Sequence, residues 1–244
     1  MSEIDEPRPG ALYLVGTPIG NLSDLSPRAL RILGAVDLIA AEDTRHTRGL
    51  LARFEIHRPL ISYHDHNKDA RTPELVRKLK DGSSVAIVSD AGSPGISDPA
   101  FTLVRAAALA GIAVVPIPGP SSALCALEVS GLPTDRFAFE GFLPRRESRR
   151  RARIVELRGD PRTLIFFESP HRLRAALQSL AEGMGDRPAS LSRELTKKFE
   201  ETRRGTLLGL LEWAKQAPPR GEFVLVVGGA PRENRDAQEE AGEE

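Results

Sequence analysis

Three acidic side chains, Glu42, Asp43 and Asp90, directly follow short apolar runs, a placement that suits a general base or a group that orients a polar ligand. Asp90 lies in Ser89-Asp-Ala-Gly-Ser-Pro-Gly-Ile-Ser-Asp-Pro99. In that stretch Gly92 and Gly95 permit positive φ and close approach of backbone to a ligand, while Pro94 and Pro99 stiffen the path. Asp98 reads as the N-cap of the helix that follows, with Pro99 at its first position. Lys197 and His171 are further candidates from the second half of the chain. Each has a plainer structural reading as a cap or ion pair: Asp43 or Thr44 serves equally well to cap a helix.

Other chemistries are disfavoured by the same residues. Gly16 and Gly20 bracket Thr-Pro-Ile, which is neither the dinucleotide fingerprint nor a Walker loop. A serine elbow is absent, so acyl transfer has no support. His64 and His66 flank Asp65, but on a strand alternate residues face opposite sides, which argues against a metal pair. No metal is expected. Cys125 is the only cysteine, which excludes an internal disulfide, and its apolar helical surroundings suit a core thiol.

Positioning these groups requires a repeated unit of strand, loop and helix. Residues 11–15, 37–41, 60–63, 85–89 and 112–117 are short apolar runs, each leading to a glycine-, proline- or acid-bearing loop and then a helix. Ser26-Pro27 starts the first of these helices, and Thr72-Pro73 is expected to start the third. Such alternation specifies a mostly parallel, doubly wound sheet with its loops at one edge. Beyond a boundary near Leu132-Pro133 the pattern changes. Strands at 137–142, 164–167, 189–195 and 222–227, an arginine-rich helix and a helix from Pro170 form a smaller α/β unit with some antiparallel pairing. The fold class is α/β with two α/β domains, at 11–132 and 133–231, and a ligand cleft between them. Residues 1–10 form an N-terminal extension and 232–244 an acidic tail.

Charge and targeting bound the partners. The formal net charge is zero, but the tail has six acids against two arginines, leaving the rest of the chain at +4. The tail is expected to be disordered. No apolar run approaches the ~18 residues of a membrane span. Met1 to Pro9 is polar and lacks the regions of a secretory signal, so the expected location is cytoplasmic.

Taken together, several loops resemble one family. Leu14-Val-Gly-Thr-Pro-Ile-Gly-Asn-Leu22, Ala41-Glu-Asp-Thr-Arg45, Ser89 to Pro99, Pro118-Gly-Pro-Ser121, Pro170-His-Arg172 and Arg193-Glu-Leu-Thr-Lys197 are similar, in order, to the tetrapyrrole methylase superfamily. Within it they resemble the branch that methylates a cytidine ribose 2′-hydroxyl in bacterial 16S ribosomal RNA. The resemblance implies S-adenosylmethionine as methyl donor, the small ribosomal subunit or its RNA as partner, and a homodimer. It also implies that Pro18, Ser89, Asp90, Ala91, Gly92, Pro94, Ser121, Ser122, Phe167 and Leu195 line the donor site. Ser93 stands where many relatives carry threonine, which keeps the hydroxyl. A ribose hydroxyl is a poor nucleophile and needs positioning and a base. Glu42, Asp43 and Lys197 remain candidates, and no single base is assigned.

The segment from Arg145 to Arg153 has six arginines and one acid. On a helix, Arg145, Arg146, Arg149, Arg150 and Arg153 fall within an arc of roughly 140°. That face suits phosphate binding and favours RNA as acceptor. Two alternatives stay open: a methyltransferase of the same fold acting on a tetrapyrrole or other small molecule, and a non-catalytic RNA-binding module of ribosome assembly.

Overall fold

The computed structural model describes residues 6–216 and 218–231, and the chain forms two compact units, Met1–Ser121 and Ser122–Glu244. The acidic tail expected at 232–244 lies outside the described residues.

The first unit is a five-stranded parallel sheet of β1 (Leu12–Val15), β2 (Leu38–Ala41), β3 (Leu60–Ser62), β4 (Val85–Val88) and β5 (Val114–Ile117). Its order is β3-β2-β4-β1-β5. The helices between them are α1 (Pro27–Ala35), α2 (Thr44–Ala52), α3 (Lys68–Lys80) and α4 (Ala100–Leu109). Tyr13, Val15, Ile39, Ala41, Ala86 and Val88 pack with α1 and α2, whereas Leu12, Ala40, Val85 and Ile87 pack with α3 and α4. Burial on both faces is why these strands read as unbroken apolar runs. The helices change face after β3, where the winding reverses, and β1 and β4 become neighbours with adjacent carboxyl ends.

Local signals set most helix starts. Ser26 Oγ accepts from Ala29 N–H at 3.1 Å, with Pro27 opening α1. For α3 the expectation was wrong: the helix begins at Lys68 and Pro73 lies inside it. Asn67 starts it instead, its side-chain oxygen accepting from His64 N–H at 2.8 Å and its amide donating to Ser62 O at 3.1 Å. The same turn corrects the reading of the two histidines. Residues 64–66 are not strand, and the His64 and His66 rings meet edge-on with centroids 5.9 Å apart.

The second unit comprises α5 (Ser122–Glu128), β6 (Phe137–Phe142), α6 (Glu147–Leu157), β7 (Thr163–Glu168), α7 (Leu173–Met184), β8 (Pro188–Arg193), β9 (Glu201–Thr206), α8 (Leu207–Gln216) and β10 (Phe223–Val227). Its sheet order is β6-β7-β10-β8-β9, with β6 and β7 parallel and the other pairs antiparallel. Leu164, Phe166, Leu191, Phe223, Leu225 and Val227 form its core with α6, α7 and α8. The division between the units falls before α5, which packs on β7, β8 and β10, and so ahead of the break expected at Leu132-Pro133. Cys125, on α5, is half-buried.

Candidate functional site

The loops at the carboxyl edge of the first sheet are joined backbone to backbone. Thr17 N–H donates to Gly92 O at 2.9 Å and Gly92 N–H returns to Thr17 O at 3.1 Å, stitching the loop after β1 to the loop after β4. Thr17 Oγ1 adds a bond to Ser89 O at 3.2 Å. Gly92 holds φ +79°, and a Cβ there would meet Ile19 Cγ2 at 3.4 Å and Pro120 O at 3.6 Å. The loop after β5 comes closer still: a Cβ on Gly16 would lie 2.7 Å from Gly119 Cα. Only a pair without side chains permits that contact. Pro18, Ser89, Asp90, Ala91, Gly92, Pro94 and Ser121 are thus gathered at one edge. Ser122 opens α5 in the second unit.

Carboxylates brace this edge. Asp90 Oδ1 accepts from Asp43 N–H at 3.0 Å, so the loops after β2 and β4 face each other as expected. Asp43 is the N-cap of α2, accepting from Arg45 N–H at 2.8 Å and His46 N–H at 3.4 Å. The Arg45 N–H is the main reason its carboxyl is held below the ordinary range. Asp98 Oδ2 takes Gly95 N–H at 2.7 Å and Oδ1 takes Ala100 N–H at 2.8 Å. One side chain closes the loop and starts the helix; α4 begins at Ala100 as expected, with Pro99 and not Asp98 in the cap position. Burial pushes the Asp98 carboxyl up. Glu42 is pushed up chiefly by burial, and the Asp90 and Asp98 charges add to it. Ser89 is buried, and its hydroxyl turns to Ala91 O at 3.3 Å, so it shapes the loop.

In the second unit, β6, β7 and β8 run the same way, so their carboxyl ends share an edge, with Glu168 and Arg193 both paired to Phe223. Phe167 stands there half-buried, edge-on to Phe139 at 4.8 Å between ring centroids. Leu195 is buried. It lies between Glu194 at φ +50° and Thr196 at φ +66°, a strained loop of the kind found at ligand sites. Lys197 Nζ binds Glu222 at 2.8 Å and Glu194 at 3.1 Å. Burial pulls its ammonium down, but the two carboxylates outweigh that and hold it above its ordinary range. His171 is exposed.

The arginine face is smaller than the helical arc implied. Arg145 and Arg146 precede α6. Arg150 is buried, its Nε donating to Ser179 Oγ at 2.9 Å, and is removed from the phosphate-facing set. Arg153 bonds Glu140 at 2.6 Å and Glu156 at 2.7 Å. Among the described residues, Arg145, Arg146 and Arg149 are exposed with no carboxylate partner. Sequence reasoning missed Thr17, the Gly16–Gly119 contact and the buried Glu168, whose Oε1 lies 3.4 Å from Arg172 Nε. For the first two the signal was present, as two glycine loops that had to meet. Glu168 carried none.

Among the described residues no group of three or more histidine, cysteine or acidic side chains is arranged to hold a metal, and no helix is long and apolar enough to cross a membrane.

Comparison with known proteins agrees with this geometry. A ribosomal RNA small subunit methyltransferase I from Xylella fastidiosa is 54% identical over 225 residues, covering 91% of this chain and 82% of the relative. Uroporphyrin-III-C-methyltransferase from Thermus thermophilus superposes with a TM-score of 0.61 at 25% identity, over 90% of this chain and 94% of that one. A structure of that enzyme complexed with S-adenosyl homocysteine has the same fold, with a TM-score of 0.61 at 19% identity over 89% and 97% of the two chains. The family of tetrapyrrole (corrin/porphyrin) methylases matches residues 11–210. With a two-sheet α/β fold, glycine loops closed on one another and a match over most of its length, the chain belongs to the tetrapyrrole (corrin/porphyrin) methylases and is a methyltransferase.

Proposed function

We propose that this enzyme transfers a methyl group from S-adenosylmethionine to the ribose 2′-hydroxyl of a cytidine in 16S ribosomal RNA, and that it acts as a cytoplasmic homodimer. The observation that carries the acceptor is the 54% identity to a relative named for small-subunit ribosomal RNA. Arg145, Arg146 and Arg149, exposed and without a carboxylate partner among the described residues, support it, because RNA offers phosphates to bind them.

The donor would supply an electrophilic methyl group, and the first unit's loops fit its chemistry. Gly92 at φ +79° and the Gly16–Gly119 contact leave backbone where side chains would stand, as a close-bound nucleoside requires. Pro18, Asp90, Ala91, Gly92, Pro94 and Ser121 would line it in the first unit, with Ser89 holding the loop's shape. Glu42 is the base in this reading. Its carboxyl is raised by burial and so is more basic than an ordinary carboxylate, whereas Asp43 is committed to a helix cap and Lys197 is held protonated by two carboxylates. For the homodimer, Phe101 and Leu109 on α4, 63% and 81% exposed, offer apolar surface.

The test is calorimetric titration with S-adenosylmethionine, then labelled methyl transfer to unmodified 16S RNA and to small subunits lacking the modification. Label in a cytidine ribose of either substrate is the expected result. Donor binding with label only in a tetrapyrrole, or no donor binding, would overturn the proposal.

A further inference from the structure

Phe142 closes β6 with 55% of its surface exposed, yet it is firmly placed. Its ring is edge-on to Phe167 at 5.6 Å between centroids. A bulge between Phe139 and Gly141 inserts Glu140, so that Phe142 pairs with Phe167 across the ladder, and Gly141 at φ +64° allows the turn.

The loop after Phe142 is held from within by two guanidiniums. Arg172 donates to Leu143 O, and Arg150 Nη1 donates to Arg145 O at 3.3 Å. Arg150 is itself fixed by Ser179, and Arg172 by Glu168, whose side chain is 1% exposed. Desolvating Arg150, and Arg172 in part, to grip two carbonyls of one short loop is costly, and rigidity is what it yields. Beyond those carbonyls stand Arg145, Arg146 and Arg149, exposed and without a carboxylate among the described residues. Three residues of chain keep the Cα atoms of Phe142 and Arg145 within about 11 Å.

A rigid exposed aromatic ring beside unpaired arginines is the composition of a single-stranded nucleic-acid site, in which bases stack on rings and cations follow the backbone. We infer that Phe142 is a base-stacking residue for the single-stranded acceptor, that Arg145, Arg146 and Arg149 take its phosphates, and that buried Arg150 and half-buried Arg172 are positioning residues for both. This rests on the RNA reading above.

The probes are a short unstructured oligocytidine and linear polyphosphate, which carries charge but no base. Phe142→Leu should weaken oligocytidine binding about 5- to 150-fold. Polyphosphate and S-adenosylmethionine affinities should not change, and Phe142→Trp should restore oligocytidine binding. Changing Arg145, Arg146 and Arg149 to glutamine should weaken both polyanions. A Phe142→Leu protein with native oligocytidine affinity sinks the stacking role while wild-type methylation of RNA leaves the broader reading intact. Loss of donor affinity or a changed oligomeric mass in Phe142→Leu also overturns it, placing the ring in the donor site or a subunit contact. Wild-type protein that neither binds oligocytidine nor methylates RNA removes both.

Discussion

Replacing Gly16 with alanine places a methyl carbon 2.7 Å from Gly119 Cα and 2.8 Å from Gly119 N. Both are backbone atoms, so no rotamer can relieve the contact. Carbon atoms rest at roughly 3.5–4.0 Å, so the loops after β1 and β5 must part by about 1 Å. Overpacking of this kind costs about 1–3 kcal/mol. At about 2–4 °C per kcal/mol for a chain of this size, the melting temperature should fall by about 2–12 °C. Donor affinity should fall further than stability suggests, because the moved segment adjoins the Thr17–Gly92 bridge that shapes the edge. Gly119→Ala repeats the clash from the other side, with its Cβ 2.8 Å from Gly16 Cα. Since one separation relieves both, the double variant should cost less than the two singles combined. Gly49 in α2 is the control, for a Cβ there meets nothing within 4 Å. Gly49→Ala should stabilise by roughly 0.5–1 kcal/mol and leave the donor titration unchanged. If Gly16→Ala and Gly49→Ala give the same melting temperature and donor affinity, the contact does not shape the site.

Other perturbations separate the roles of neighbouring groups. Gly92→Val should abolish donor binding with the chain still folded, because a branched residue resists φ +79°; unchanged calorimetric affinity would remove this loop from the site. Burial raises the Glu42 pKa above its ordinary 4.5, so the folded state holds the extra proton and stability falls as pH rises from 4.5 through the folded value. Glu42→Gln should flatten that slope in pH-dependent melts and, if Glu42 is the base, reduce methyl transfer about 10²- to 10⁴-fold. Arg150→Met should lower stability by about 1–3 kcal/mol in urea melts by stripping partners from Ser179 and the Arg145 carbonyl, while Arg149→Gln should leave stability alone and reduce the salt slope of RNA binding by about 0.7–0.9.

The first sheet was legible because all five strands are parallel, and burial on both faces leaves apolar runs with little else in them. Where the sequence misled, a local preference met a tertiary demand. Pro73 suits the first turn of a helix, but Asn67 bonded to His64 and Ser62 starts α3 earlier and carries the proline inside it. β9 escaped notice because Glu201-Thr-Arg-Arg-Gly-Thr206 has no apolar alternation, being an edge strand paired only with β8. Helical spacing put five arginines on one side, yet an arc of roughly 140° is broad enough for one flank to face the core, and Arg150 does. The glycine loops were legible as loops at the carboxyl edge of the sheet, but their closure on one another was not, because the partners Thr17 and Gly92, or Gly16 and Gly119, are far apart in the chain.

The two sheet edges divide the proposed work by material. At the first, contact surface is backbone, and most carboxylates are spent holding it: Asp43 on the start of α2, Asp90 on Asp43 N–H, Asp98 on Gly95 and Ala100. Burial and the Asp90 and Asp98 charges oppose ionisation of Glu42, and unlike Asp98, whose carboxyl is raised by burial too, it is not bonded to the loop backbone of Gly95 and Ala100. At the second edge the contact surface is side chains, Phe142 with Arg145, Arg146 and Arg149, on a loop gripped through its carbonyls by buried Arg150 and half-buried Arg172. A methyl donor of one fixed structure suits a site made of backbone, which varies little when side chains change. An acceptor must be told apart from other acceptors, and discrimination needs side chains whose charge and shape differ. Exchange of surface at the second edge should therefore alter which acceptor is methylated while donor affinity stays constant.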